Sequence, residues 1–188
     1  MSRDWLQLQQ LAHRTFTVHV TNVTDWSAPT PDADWDVRQL VSHVIEEQQW
    51  APQILAGRTA GEARARMDPL GSDLAAEWRR YSEAAMQAWT RADLSAPVTL
   101  RYDTMPAADY LTEQVADVVV HTWDLARAIG GDERLDDALV EAAWSIFEPQ
   151  RATLEASGLY AAPVPTDAGM PLQSQLLALT GRDDRVVA

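Results

Sequence analysis

Apolar residues recur at three- and four-residue intervals through most of this chain, the spacing of helices that bury one face and show the other to water. Trp5, Leu8, Leu11, Ala12, Thr15 and Phe16 keep that rhythm over a first segment predicted at about 4–23. The stretch Ser27-Ala28-Pro29-Thr30-Pro31-Asp32 ends it, since proline lacks an amide hydrogen and turns the preceding residue away from helical geometry. A second helix is predicted at about 36–56, opened by an Asp36/Gln39 capping pair and closed by Gly57. The third, at about 73–92, has Ser72 as its expected cap and Leu74, Trp78, Tyr81, Ala85 and Trp89 as its buried seam. The fourth starts at Pro106, which suits a first helical turn, and runs to about 129, where Gly130-Gly131 stops it. A fifth, at about 135–157, should bend or end at Pro149, and a short helical piece is expected around 173–179. No β-alternation competes with these segments.

Amphipathic helices of comparable length joined by loops predict an all-α fold, a four-helix bundle with an additional C-terminal helical segment. No internal repeat, low-complexity tract or long linker interrupts it, so residues 1–188 read as a single domain.

The fourth helix has two organised faces. With Asp117 at zero and about 100° per residue, Tyr110, Glu113, His121 and Asp124 all fall within about 40° of it, a polar stripe expected to face away from the core. Leu111, Val115, Val118, Thr122, Leu125 and Ile129 gather between about 80° and 160° as the apolar face.

Composition then removes whole classes of chemistry. The 188 residues include no cysteine, so disulfides, thiolate ligands and a cysteine nucleophile are excluded. All 15 basic residues are arginine, which excludes Schiff-base chemistry on lysine, and the formal net charge of −13 repels phosphate. With no basic stripe, nucleic acid is not an expected partner. No segment has the apolar length of a membrane span or the core of a signal peptide, so a cytoplasmic protein, monomer or homodimer, is expected. There is no phosphate-binding glycine loop, no Gly-x-Ser-x-Gly elbow and no His-Glu-x-x-His.

What remains is metal chemistry. Of the four histidines, His13 and His19 lack an acidic partner at helical spacing and read as structural. His43 lies on the flank of the second helix with Glu47 one turn on, and Asp117 and His121 are one turn apart on the fourth. A catalytic divalent ion needs about three protein ligands and an open position, and His43, Asp117 and His121 from two helices would supply them. Two imidazoles and a carboxylate suit zinc first, with nickel and non-haem iron also accommodated. The competing readings are a surface Asp/His pair, a flank histidine bonded to Glu47, and solvated Glu46 and Glu47. Asp124 reads as an outer carboxylate that orients an imidazole, or as solvated. Trp35, Trp50 and Trp123 are close enough in sequence to these motifs to line a pocket.

Several stretches together carry a family resemblance: Asp34-Trp35-Asp36-Val37-Arg38-Gln39-Leu40-Val41-Ser42-His43-Val44, Leu55-Ala56-Gly57-Arg58, Asp117-Val118-Val119-Val120-His121-Thr122-Trp123-Asp124-Leu125-Ala126-Arg127-Ala128-Ile129-Gly130 and Leu176-Leu177-Ala178-Leu179-Thr180-Gly181-Arg182. The chain resembles an actinobacterial branch of the DinB-like superfamily, related to the metal-binding N-terminal domain of mycothiol-dependent maleylpyruvate isomerase. The resemblance implies a DinB-like four-helix bundle and a divalent metal at the positions of His43, Asp117 and His121. The isomerase has glutamate where this chain has Asp117, one methylene shorter, and it has a C-terminal domain without a counterpart here.

The function implied is activation of a small-molecule thiol, mycothiol, by a bound metal for transfer to, or isomerisation of, an electrophilic substrate. Asp124 or Glu47 would orient ligands or accept a proton, and Arg38 and Arg127 would hold an anionic substrate. A non-catalytic metal-binding or stress-response bundle and a metal-hydroxide hydrolase are the alternatives.

Overall fold

The computed structural model describes residues 3–32, 34–101, 103–157, 160–167 and 169–185, and among them the architecture is helical apart from one short hairpin. Four long helices form the bundle: α1 (Trp5–Val20), α2 (Val37–Leu55), α4 (Leu74–Arg91) and α5 (Ala107–Ala128). Between α2 and α4 lies a one-turn helix, α3 (Ala60–Arg64). Helix α1 packs on α4 and α5, and α2 packs on the same two, so α1 and α2 face each other diagonally. Helices α6 (Asp137–Phe147) and α8 (Leu172–Leu179) pack together outside the bundle, with α6 against α5. No described helix is long and apolar enough to cross a membrane.

Local chemistry accounts for the helix ends. Asp36 accepts the Gln39 amide at 2.8 Å while the Gln39 side chain accepts the Asp36 amide at 3.0 Å, the reciprocal cap expected at the start of α2. Gly57 and Gly130 take positive φ values of 75° and 65° just beyond α2 and α5, a conformation open to glycine and costly for other residues. The α4 seam of Leu74, Trp78, Tyr81, Ala85 and Trp89 is buried as predicted. Its cap is Asp73, which accepts from the Ala76 amide at 3.0 Å, in place of the expected Ser72. Pro149 sits in a 3-10 turn (Glu148–Gln150) that separates α6 from α7 (Arg151–Ser157), so the predicted fifth helix is two.

Two features depart from expectation. Strands β1 (Pro97–Thr99) and β2 (Thr104–Pro106) pair antiparallel and lead the chain into α5, where no strand was predicted. The polar stripe of α5 does not face outward: Tyr110, His121 and Asp124 are all buried. Helix α5 packs against α1, α2 and α6, and the C-terminal segment reaches it at Asp124 and Arg127, so nearly every side of it is covered.

Candidate metal centre

The stripe turned inward is what makes a site. Helix α2 delivers His43 and α5 delivers Asp117 and His121, and one ligand atom from each lies within 4.8 Å of the other two. His43 Nε2 is 3.6 Å from Asp117 Oδ2, and His121 Nε2 is 3.4 Å from Asp117 Oδ1. Donor atoms sharing a tetrahedral ion at roughly 2.0–2.2 Å stand roughly 3.3–3.6 Å apart, the range of each of these two imidazole–carboxylate contacts, which run to different oxygens of Asp117. Asp117 reaches both imidazoles. Trp35 packs over both rings, with centroid distances of 4.8 Å to His43 and 5.6 Å to His121.

Behind His121 stands a buried chain of charges. Asp124 Oδ2 lies 3.2 Å from His121 Nδ1, which orients the ring so that Nε2 points at Asp117. Arg182, brought in by the segment after α8, grips Asp124 through two bonds, Nε to Oδ1 at 3.1 Å and Nη2 to Oδ2 at 2.8 Å. The same guanidinium donates to the Thr180 carbonyl at 2.6 Å and to Asp32 at 3.4 Å. Asp124 and Arg182 are 0% and 4% exposed, so this ion pair is cut off from water and each partner depends on the other.

The charges set the protonation of the site. Burial alone would drive the His121 imidazole toward neutrality, but Asp117 and Asp124 on either side raise it to about 10. Burial would also raise the Asp117 carboxyl, and His121 and His43 overcome this and hold it well below the usual carboxylate range. Burial and the nearby Asp117 charge push Glu47 up. Tyr160, whose hydroxyl donates to Asp117 Oδ1 at 3.4 Å, is raised by burial and by the same carboxylate, so it stays a donor.

His43 and Asp117 line one wall of a cavity of about 1030 Å³. Glu47 joins them there, its Oε2 accepting from Gln114 at 2.9 Å, which makes it part of the cavity and corrects its reading as a solvated helix residue. Trp50 also lines the cavity, whereas Trp123 is buried in the core beneath Arg127. The two arginines expected to hold an anion lie elsewhere. Arg38 is exposed and stacks on Trp26, and Arg127 bonds Glu133 at 2.6 Å and the carbonyls of Asp183 and Asp184, tying down the C-terminal segment. The arginines at the cavity are Arg64 and Arg101. Neither they nor Arg182 was singled out in the sequence, although Arg182 belongs to one of the stretches that carried the family resemblance.

Comparison with known proteins bears on the same residues. The profile of the mycothiol maleylpyruvate isomerase N-terminal domain matches residues 10–126, a span that contains His43, Asp117, His121 and Asp124. The chain belongs to that family. Two uncharacterized proteins of Mycobacterium tuberculosis are each 29% identical to it over 193 residues, covering 97% of this chain and 100% of theirs. Among solved structures, a histidine-to-alanine mutant of mycothiol-dependent maleylpyruvate isomerase superposes with a TM-score of 0.66 at 16% identity, over 86% of this chain and 72% of that one. At that identity the likeness shows the fold, and the all-α, DinB-like bundle read from the sequence stands.

Proposed function

We propose that this chain is a divalent-metal-dependent enzyme that activates a low-molecular-weight thiol, mycothiol, for transfer to an electrophile. The observation that carries this reading is the convergence of His43, Asp117 and His121 ligand atoms within 4.8 Å beside the large cavity. The family to which the chain belongs supports the choice of mycothiol.

His43, Asp117 and His121 would hold the cation. Bound there, it supplies positive charge that favours thiolate over thiol at neutral pH. The chain has no cysteine of its own, so the sulfur belongs to a bound molecule. Asp124 holds His121 by its Nδ1, and Arg182 holds Asp124, so the ring keeps its Nε2 directed at the ligand cluster. Glu47, one turn beyond His43 and raised by burial, takes up the thiol proton at its carboxylate and returns it to the product, while Gln114 fixes its orientation.

Protein purified without chelator should carry close to one divalent ion per chain by elemental analysis, and His121→Ala should lose it. Metal-loaded protein incubated with mycothiol and a panel of electrophiles should turn over, and chelator should abolish the activity until zinc is restored. Full metal occupancy in His121→Ala would move the site elsewhere. Bound metal with no turnover across the panel would reduce the protein to a metal-binding bundle, and turnover unaffected by chelator would overturn the mechanism.

A further inference from the structure

The cavity that opens beside His43 and Asp117 has a composition suited to one class of molecule. Its apolar wall is made of Trp50, Met67, Leu70, Met105, Ile146 and Phe147, contributed by four parts of the chain that meet only in the folded bundle. Its lining carries six carboxylates, Glu46, Glu47, Asp68, Asp103, Glu113 and Asp117, against the guanidiniums of Arg64 and Arg101 and that of Arg80, which pairs with Asp68 at 3.4 Å. A divalent cation at the ligand cluster would still leave negative charge in excess. Glu46, Asp68 and Asp103 are exposed, while Glu47, Glu113 and Asp117 are half-buried, so an anion meets the excess at the mouth and again, less screened, farther in. At about 1030 Å³ the cavity reaches the upper end of the range for small-molecule sites, room enough for a cofactor thiol and a second molecule together.

We infer that the cavity selects an uncharged, predominantly apolar molecule as the second substrate and discriminates against small carboxylate or sulfonate anions. This rests on the proposed enzymatic reading for the word substrate only; the binding preference itself belongs to the cavity walls. The apolar side chains supply the gain from water exclusion, and the carboxylates supply the selection by charge.

A matched pair of fluorophores separates these contributions: N-phenylnaphthylamine, which is uncharged, and anilinonaphthalene sulfonate, which adds one negative charge to a similar aromatic frame. Titrated into the full chain, zinc-loaded and chelator-treated alike, the uncharged probe should bind at least roughly tenfold more tightly. The double variant Glu46→Gln, Glu113→Gln should narrow that ratio by strengthening sulfonate binding, with the uncharged probe nearly unchanged. Leu70→Asp and Met105→Asp, both at half-buried wall positions, should each weaken the uncharged probe by roughly tenfold or more while circular dichroism stays helical. Equal or tighter binding of the sulfonate, or a preference untouched by the wall variants, would overturn the inference. Because the preference is read in chelator-treated protein as well, its failure leaves the thiol chemistry standing, and absence of turnover leaves the preference standing.

Discussion

Two buried imidazoles in this bundle meet opposite fates. His13, on α1, is 6% exposed and packs edge-on to Trp78 at 5.2 Å, with Gln9 Nε2 at 2.9 Å from its Nε2 and Gln48 alongside. His121, on α5, is 4% exposed, but its neighbours are Asp117 at 3.4 Å and Asp124 at 3.2 Å. Burial pushes His13 down to about 4, whereas the two carboxylates raise His121 to about 10. Equal burial therefore does not decide the charge; the partners do. An amide pair leaves an imidazole neutral and structural, and a carboxylate pair makes it a charged group or a metal ligand.

The strongest way to break the His121 arrangement is to remove its outermost support. Arg182→Met leaves the fully buried Asp124 with His121 as its remaining charged partner, and breaking a buried pair in this way costs about 3–5 kcal/mol. Urea denaturation should show a loss of that size, and metal retention should fall with it because His121 loses its fixed orientation. A change below about 1 kcal/mol would mean that Asp124 is held by something other than Arg182.

The His13 side of the comparison is tested by pH. In the unfolded chain His13 takes up a proton near its ordinary value of 6.5, whereas in the folded bundle it resists protonation down to about 4. Between those values the unfolded chain binds more protons, so the stability conferred by neutral His13 is complete above pH 6.5 and is lost as pH falls toward 4. The loss should approach roughly 3 kcal/mol at the acid end. Denaturant midpoints measured across that window should fall steeply for the native chain and less steeply for His13→Leu. Parallel curves would show that His13 is not the buried base.

These contrasts also mark where the sequence was legible. The absence of an acid three or four residues from His13, and the presence of acids at that spacing around His121, can be read directly from a helical wheel; His43, nominated from a second helix, lies beside Asp117 and His121. Periodicity groups residues on a face but does not say what covers the face. The stripe of Tyr110, Asp117, His121 and Asp124 was expected in solvent because its covers, α2 and the segment carrying Arg182, lie far away in the chain. Arg182 meets Asp124 across 58 positions, a separation at which no local pattern operates. The strands flanking Arg101 have three residues each, too few for alternation to register, and α3 has five, although its Thr59/Glu62 capping box is visible once sought. Glu47 looked solvated for the same reason as the stripe: the cavity it faces is assembled from distant segments.

The mildest perturbation concerns Asp117, the candidate carboxylate ligand. Asp117 already stands 3.4 Å and 3.6 Å from the two imidazoles, so the geometry asks for a carboxylate at this reach and no longer. Asp117→Asn keeps the shape and removes the charge, and zinc affinity should drop by more than about a hundredfold, beyond what loss of an outer partner costs. Asp117→Glu keeps the charge and adds a methylene that the half-buried position beside Tyr160 must absorb. Its affinity should stay within roughly tenfold of the native chain, because a glutamate can bend back to the same point at the cost of one more ordered torsion. Zinc titrations against a competing chelator distinguish the two variants. If the glutamate variant binds as poorly as the asparagine, length and not charge is what α5 supplies at this position; if both bind like the native chain, the third ligand is another carboxylate, and Glu47 is the one within reach of the same cavity.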